Sequence, residues 1–404
     1  MSLAFLTSLS KPLKTAGLIA LFLSLPIQAK PVVATYYAAD GNTAAIAELP
    51  AEKLSHVLYA FLALCGDNEG ANENTIKAIE KACRGKAPYS AVLFNEKQAV
   101  KELKAFKALK KEHPHLVLLP SFGGWTLSKP FHGMAKKASD RQHFVRSAVD
   151  LIAKHDAFDG IDIDWEFPGG GGNSQSTLTG KAAEQERKAF RLMMQELRTE
   201  LDELSTKTKR QYQLTAAVNG SKAKVDAIDW QNTSTHMDYV FTMTYDFAVG
   251  NGQAAHHTNL FSEDKNTLST ENMIKNMLGA GVPANKLVVG VAFYGRGWQN
   301  SDWQGQNFGD QAKATSTGSY VYQDLVEQPP TGYQYGYDKK SEAAYLYNPS
   351  NDGFISFDDK RSVAAKAKWT KEMGLAGLFS WQVRQDNGDL INAMYNNMQP
   401  KEKE

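Results

Sequence analysis

The chain of 404 residues lacks the features that mark the specialised classes of protein. Its net charge is only +1, from 45 basic and 44 acidic residues, and glycine (31) and proline (14) are not enriched. Balanced charge gives no electrostatic reason to expect a nucleic acid or an anionic membrane as partner. The ordinary composition argues against collagen-like, coiled-coil and disordered chains.

Cysteine is scarce and motifs for metal ligands are missing. Cys65 and Cys83 are too far apart for a CxxC pattern, and the nine histidines show no paired spacing with acidic residues. We therefore expect no metal and no cofactor. The two cysteines are compatible with one disulfide and also with two buried free thiols, and both interpretations stay open.

Long apolar runs are also missing, except near the N-terminus. Lys11 and Lys14 precede an apolar run from about Ala16 to Pro26, followed by Ile-Gln-Ala29, which is the order of a secretory signal peptide. The run is too short for a transmembrane helix, which needs about 20 residues. We expect residues 1–29 to be a signal peptide and the protein to be secreted (extracellular or periplasmic) without stable membrane association. A membrane tether or an unusually long leader is the alternative.

Short apolar, β-rich runs recur along the rest of the chain, separated mostly by amphipathic stretches. Nearly continuous apolar runs are typical of parallel strands that are covered on both faces. Alternating strands and helices predict a parallel sheet with right-handed crossovers, and eight such units favour an α/β fold of the (β/α)8 TIM barrel type. The predicted strands are 32–37, 56–64, 116–122, 160–166, 213–218, 239–245, 287–294 and 375–381.

Helical spacing of apolar residues predicts helices around 190–201 and 273–278, and another at about 359–372. Residues 297–357 lack a helical period and are rich in Tyr, Gly and Asp, which predicts a small α+β insertion domain between the seventh strand and its helix. The barrel then takes residues 30–296 and 358–395, and residues 396–404 form a flexible tail. The run Gly169–Gly172 predicts a flexible loop after the fourth strand, without the GxxxxGK of a phosphate cradle.

Three acidic residues alternate along the fourth predicted strand. Asp162, Asp164 and Glu166 project from one face, which in a barrel is the interior, and the row ends at the mouth where barrel active sites lie. Carboxyls stacked this closely cannot all ionise, so at least one pKa rises, and a neutral acid can protonate a glycosidic oxygen. Asp159 has the opposite parity, which indicates a structural role. A solvated acidic strand and a Mg2+ or Ca2+ site are the alternatives.

The segment DGIDIDWE at 159–166 resembles the DxxDxDxE signature of glycoside hydrolase family 18, the chitinases and their relatives. Other segments resemble this family in the expected order, and together they cover about residues 31–395. They are SFGGW at 121–125, MTYD at 243–246, FYGRGW at 293–298, FSW at 379–381, and the insertion-domain segments YLYN at 345–348 and FISFD at 354–358.

The resemblance implies a substrate-assisted retaining mechanism, in which the N-acetyl oxygen of the substrate is the nucleophile. Glu166 would protonate the leaving oxygen and afterwards activate water. Asp164 would orient the acetamide and stabilise the oxazolinium cation, and Asp162 would share a proton with Asp164. Tyr245 would hold the acetamide oxygen, and Trp381 would form the apolar floor under the distorted sugar, although each is otherwise explained as a packing aromatic.

Met243, Asp246, Tyr294 and Arg296 match further sugar-contacting positions of the family, and Trp125, Phe61 and Tyr37 are additional candidates for substrate binding. An exposed sugar platform and a packed core residue are equally good interpretations of Trp125. Arg296 is alternatively an ion-pair partner of an acid in the insertion domain. The segment 248–252 departs from the family pattern, which leaves the product-side contacts of that loop open.

The resemblance therefore implies a monomeric chitinase that hydrolyses β-1,4-linked N-acetylglucosamine polymers or oligomers, with chitin or its oligosaccharides as the binding partner. Two alternatives use the same fold. One is an endo-β-N-acetylglucosaminidase that acts on N-glycans, whose members generally lack the insertion. The other is a non-catalytic chitin-binding lectin, which typically has lost the terminal acid that is present here as Glu166.

Overall fold

Strands whose side chains are buried on both faces form a closed parallel barrel. The computed structural model describes residues 1, 30–173, 176–264, 267–301 and 313–400. The chain divides into residues 1–30, where only Met1 and Lys30 are described, and a unit that begins at Pro31. The predicted signal peptide lies outside the described residues except for Met1, and so do residues 401–404 of the predicted tail.

The barrel confirms the predicted (β/α)8 fold. Within the described ranges, eight parallel strands follow one another around the ring, and the first pairs with both the second and the last. A two-residue strand, Ala91–Val92, adds to the second strand in antiparallel fashion. Barrel strands 1 to 8 are Val32–Ala38, His56–Leu64, Val117–Gly123, Gly160–Asp164, Gln213–Val218, Tyr239–Thr242, Leu287–Ala292 and Gly377–Trp381.

Strands 4, 6 and 7 end two or three residues earlier than predicted. Glu166 and Tyr245 therefore lie just beyond the last paired residues, at the mouth, where the backbone has left the regular ladder. This placement fits the position of active sites at the carboxyl ends of barrel strands.

Helices pack around the barrel, and those predicted from apolar spacing are confirmed. The longest, Gly180–Thr208, buries Phe190, Met193 and Leu197 against the strands. The described helices are Thr43–Ala47, Glu73–Ala82, Glu96–Glu112, Lys129–Met134, Ala138–Lys154, Gly180–Thr208, Lys222–Asp226, Trp230–Thr233, Thr270–Gly279, Tyr322–Glu327, Lys360–Glu372 and Asp389–Met398. None of the helices in the described residues is long and apolar enough to cross a bilayer.

A second sheet lies in the chain between barrel strands 7 and 8. Its described strands are antiparallel and are Tyr294–Gln299, Thr315–Val321, Gln334–Asp338, Ala343–Asn348 and Gly353–Phe357. The first of them begins two residues after barrel strand 7 ends, so Tyr294 and Arg296 belong to this sheet and lie beside the mouth.

The return from the second sheet to the barrel is fixed by a buried ion pair. Lys366 Nζ lies 2.7 Å from Asp358 Oδ2, and both side chains are almost completely buried. The same carboxylate oxygen accepts hydrogen bonds from the Ala292 N–H at 3.0 Å and from the Thr258 hydroxyl at 2.9 Å. Asp359 then caps the helix that starts at Lys360, through a reciprocal pair of hydrogen bonds with Ser362.

Cys65 and Cys83 form a disulfide, which decides between the two interpretations of these cysteines. Their Cα atoms are 5.6 Å apart, and the bond closes a separation of 18 positions. The bond joins the residue after barrel strand 2 to the C-cap of helix Glu73–Ala82.

Candidate active site

The row of carboxyls begins with Asp162, which is completely buried inside the barrel. Its Oδ2 accepts hydrogen bonds from the hydroxyls of Tyr36 (3.1 Å) and Ser121 (2.6 Å), and its Oδ1 accepts one from Thr215 (2.6 Å). Burial raises the pKa of Asp162 to about 6, and the hydroxyl donors oppose the rise because they stabilise the charged form. Asp162 is thus a carboxyl held in one orientation by donors from three other strands of the barrel.

Asp164 lies next along the row and is also buried, but it is held differently. Its Oδ1 has no hydrogen-bond partner among the described residues. Burial raises the pKa of Asp164 well above its usual range, and the negative charges of Glu166 and Asp162 raise it further. A buried carboxyl with an unused oxygen is suited to accept a hydrogen bond from a ligand.

Glu166 follows at the mouth with its side chain partly accessible. Burial, and after it the negative charge of Asp246, raises the pKa of Glu166 to about 8. The carboxyl is therefore mostly protonated near neutral pH and can act as a general acid. Among the described residues, no group of three or more His, Cys, Asp or Glu side chains is arranged to hold a metal ion.

Asp159 occupies the opposite end of strand 4, as its parity predicted. Its carboxylate forms ion pairs with Lys110 and Arg210 and accepts the Leu118 N–H at 2.8 Å. These contacts tie the strand to its surroundings on the side away from the mouth. The predicted structural role is confirmed.

Tyr245 lies beside the acids, three residues after barrel strand 6. Its ring packs against Tyr294 (6.0 Å between centroids) and Phe379 (6.1 Å), in the interior cluster that also contains Met243. Burial raises the pKa of Tyr245 well above its usual range, and the charge of Asp164 adds to this. The phenol therefore stays protonated and can donate a hydrogen bond.

Asp246 and Arg296, which follow the adjacent barrel strands 6 and 7, form an ion pair. Arg296 donates from Nε at 2.8 Å and from its second guanidinium nitrogen at 3.0 Å. Asp246 adopts a left-handed conformation (φ 60°), and the His257 Nδ1 lies 3.8 Å from its carboxylate. The partner of Arg296 is thus an acid that follows a barrel strand, and not an acid of the inserted sheet.

Aromatic side chains cover the floor of the mouth. The rings of Phe61 and Trp381 are stacked, with centroids 5.5 Å apart and an interplanar angle of 16°. Tyr36 packs against Trp381 at 5.3 Å. Trp125 is 50% exposed and touches Phe167 with its edge, so the structure places it at the surface and not in the core.

The prediction that Tyr37 contacts substrate is wrong, because the residue lies on the outer face of strand 1. Tyr37 is completely buried against Tyr59 and Phe106, and its hydroxyl donates to the Asn42 carbonyl at 3.1 Å. The neighbouring Tyr36 faces the acids instead. Both residues are tyrosines in an apolar run, so no local signal separates the two faces.

Sequence reasoning also missed the hydroxyls that orient the acids. Ser121 lies in the SFGGW segment and Thr215 in a predicted strand, but neither pattern indicates a role for the hydroxyl. Their contacts with Asp162 depend on the register between strands 3, 4 and 5, where Ser121 and Thr215 both pair with Asp162. Once strands 3 and 5 are aligned with Asp162, the alternation of side chains along them places Ser121 and Thr215 on the inner face, and this is the signal that identifies both residues.

A buried row of carboxyls at the mouth of a TIM barrel, with one acid protonated near neutral pH, is the arrangement of a glycoside hydrolase. The chain matches the family "Glycosyl hydrolases family 18" over residues 32–386. It therefore belongs to this family.

The relatives that resemble the chain in sequence are named as chitinases. It is 35% identical over 419 residues to chitinase A from Pseudoalteromonas piscicida, covering 89% of this chain and 51% of that protein. It is 34% identical over 387 residues to the probable endochitinase of Orgyia pseudotsugata multicapsid polyhedrosis virus, covering 88% and 70%. Chitinase ChiA74 from Bacillus thuringiensis shares the fold, with a TM-score of 0.81 at 24% identity over 91% of this chain and 70% of that one. The chain thus spans about half the length of the Pseudoalteromonas relative.

Proposed function

We propose that the protein is a secreted chitinase that cleaves β-1,4-linked N-acetylglucosamine chains with retention of configuration. The observation that carries the proposal is the pairing of two unlike carboxyls. Glu166 has a pKa raised to about 8, and Asp164 presents a buried oxygen without a partner among the described residues. The names of the relatives support the choice of substrate.

In the first step the Glu166 carboxyl donates its proton to the glycosidic oxygen as the bond to the anomeric carbon breaks. The acetamide oxygen of the same sugar attacks that carbon and forms a cyclic oxazolinium ion. Asp164 accepts the acetamide N–H and stabilises the positive charge, and the Tyr245 hydroxyl donates to the acetamide oxygen. In the second step the Glu166 carboxylate takes a proton from water. The oxygen of this water attacks the anomeric carbon and opens the oxazolinium ring.

Asp162 acts on this site mainly through its charge and its fixed orientation. Its two oxygens are occupied by the hydroxyls of Tyr36, Ser121 and Thr215. That Asp162 shares a proton with Asp164 stays a prediction. Stacking of the sugar on Trp381 supplies the apolar contact, since flat aromatic faces suit the apolar side of a pyranose.

Replacing Glu166 by Gln tests the proposal. The amide keeps the shape but has no proton to donate, so kcat on soluble chitooligosaccharides should fall by about 10²-fold or more, while oligosaccharide binding persists. Glu112→Gln, an exposed change at the end of a helix, is the matched control and should retain full activity. A Glu166→Gln variant with the turnover of the unmodified protein would refute the assignment.

Product chromatography separates this proposal from the two alternatives. The unmodified protein is incubated with chitin, soluble oligomers and an N-glycoprotein. Release of oligosaccharides from the first two supports a chitinase. Cleavage of the glycoprotein alone would identify an endo-β-N-acetylglucosaminidase, and binding of chitin without products would identify a lectin.

We also propose that the protein is exported and acts as a monomer. The order of charged, apolar and small residues up to Ala29 supports export, and the Cys65–Cys83 disulfide suits an oxidising compartment. Mass spectrometry of protein from the culture medium should find an N-terminus near residue 30. Light scattering of the same sample tests the monomer.

A further inference from the structure

The backbone at Glu166 is held by a buried serine from the preceding barrel loop. The Glu166 N–H donates to Ser128 Oγ at 2.9 Å, and the Ser128 hydroxyl donates to the Gly124 carbonyl at 2.9 Å. The Asp164 carbonyl lies 3.2 Å from the same hydroxyl. Ser128 is 1% exposed. One hydroxyl group therefore links the acid to the strand before it.

The backbone after Glu166 is held by a buried, hydrogen-bonded pair of side chains. Glu186 Oε2 accepts the Gly169 N–H at 2.8 Å, and Glu186 Oε1 lies 2.7 Å from His132 Nδ1. Glu186 and His132 are 5% and 7% exposed, and the His132 ring packs against Trp165. The carboxylate of Glu186 thus connects helix Gly180–Thr208 to the loop that follows the acid.

That loop also contacts the acid directly. The Gly170 N–H donates to the Phe167 carbonyl at 2.8 Å, which turns the chain back. A Cβ added to Gly172 would lie 2.2 Å from the Glu166 carbonyl oxygen, so the loop backbone packs against the peptide of the acid. This glycine loop, residues 169–172, therefore supports the Glu166 backbone by direct contact.

We propose that Ser128 and the His132–Glu186 pair are positioning residues for Glu166, which fix its backbone from both sides and thereby its reach to the glycosidic oxygen. The inference rests on the proposed role of Glu166 as the acid. None of the three side chains needs to touch the substrate. They act because a carboxyl that is misplaced by about 1 Å can lose on the order of 10²-fold in rate.

Single substitutions at these positions test the proposal. Ser128→Ala removes the acceptor of the Glu166 N–H, and Glu186→Ala removes the acceptor of the Gly169 N–H. Each should lower kcat on soluble chitooligosaccharides by roughly 10- to 100-fold. The dissociation constant for an oligosaccharide, measured in a Glu166→Gln background, should stay unchanged. Glu186→Gln keeps an oxygen acceptor for Gly169 and should restore most of kcat.

The chain offers a matched control on the same long helix. Glu196 pairs with Arg141 at 2.8 and 2.9 Å, joins the helices Ala138–Lys154 and Gly180–Thr208, and is 24% exposed. Among its described contacts, none reaches the glycine loop. Glu196→Ala should lower Tm but leave kcat unchanged.

The outcomes separate this inference from the proposed function. An inactive unmodified protein refutes the proposed function itself. An active protein in which Ser128→Ala and Glu186→Ala lower Tm without lowering kcat overturns the positioning role. If Glu186→Ala does not fold, Ser128→Ala, which deletes a single oxygen, decides the question alone.

Discussion

Arg296 donates hydrogen bonds to both carboxylate oxygens of Asp246, at 2.8 and 3.0 Å. The pair fixes a negative charge close enough to Glu166 to raise the pKa of that acid, in addition to the larger effect of burial. Because the two carboxyls follow barrel strands 4 and 6, which are joined through strand 5, the acidity of the proposed catalyst depends on the pairing of these strands as well as on its own strand.

Asp246→Asn should move the pH profile. The general acid must be protonated, so activity is present below the pKa of Glu166, which is about 8, and is lost as pH rises through it. Removing the charge of Asp246 lowers this pKa, and the basic limb of kcat/KM should shift to lower pH. The measurement is kcat/KM on a soluble oligomer between pH 4 and 10. An unchanged basic limb would show that Asp246 does not influence the acid.

Tyr36 and Tyr37 provide a test of the two faces of strand 1. Tyr36→Phe removes a hydroxyl that donates to the Asp162 carboxyl, and kcat should fall on the order of 10-fold. Tyr37→Phe removes a hydroxyl on the outer face, and kcat should stay within about twofold of the unmodified protein. Equal losses in both variants, or a loss only at Tyr37, would contradict the assignment of faces.

The buried ion pair at the end of the second sheet should matter for stability. Lys366→Met leaves the Asp358 carboxylate buried without its charge partner and should cost about 3–5 kcal/mol in the free energy of unfolding. Lys368 lies on the same helix in an exposed pair with Glu372, and Lys368→Met should cost about 0–1 kcal/mol. Urea denaturation of the two variants measures the difference. Similar midpoints would argue against a structural role of the buried pair.

The disulfide should also contribute to stability. Replacing both Cys65 and Cys83 by Ser removes the constraint on the unfolded chain and should lower the free energy of unfolding by about 2–4 kcal/mol. The bond joins the mouth end of strand 2 to a surface helix, and we expect kcat at 25 °C to be retained. A loss of kcat at a temperature where the variant is folded would instead link the bond to the site.

Much of the fold and of the acid row could be predicted because each has a local signal in the sequence. Continuous apolar runs define the barrel strands, and a two-residue period places Asp162, Asp164 and Glu166 on one face. The two-residue period of a strand does not, however, show which of its two faces points into the barrel. On the fourth strand the charges indicate the inner face, whereas Tyr36 and Tyr37 carry no such indication.

The groups that position the acids could not be predicted from local patterns. Glu186 lies on a helix whose sequence is amphipathic like any other, and its contact with Gly169 exists only after the helix has packed on the barrel. Ser128 lies three residues after the SFGGW segment, and no local pattern distinguishes it from other serines. Such residues act through contacts between segments, and an amphipathic or strand period contains no information about them.

The hydrogen bond between the Ala292 N–H and Asp358 joins the points where the chain departs from the barrel and returns to it. Departure and return are thus adjacent in space, although 66 positions separate them along the chain. Any length of polypeptide can be accommodated between two such points without widening the ring, which makes this junction a natural place for evolutionary insertion. The same geometry limits later loss, because Tyr294 and Arg296 belong to the second sheet, and excision of that sheet would remove them together with it.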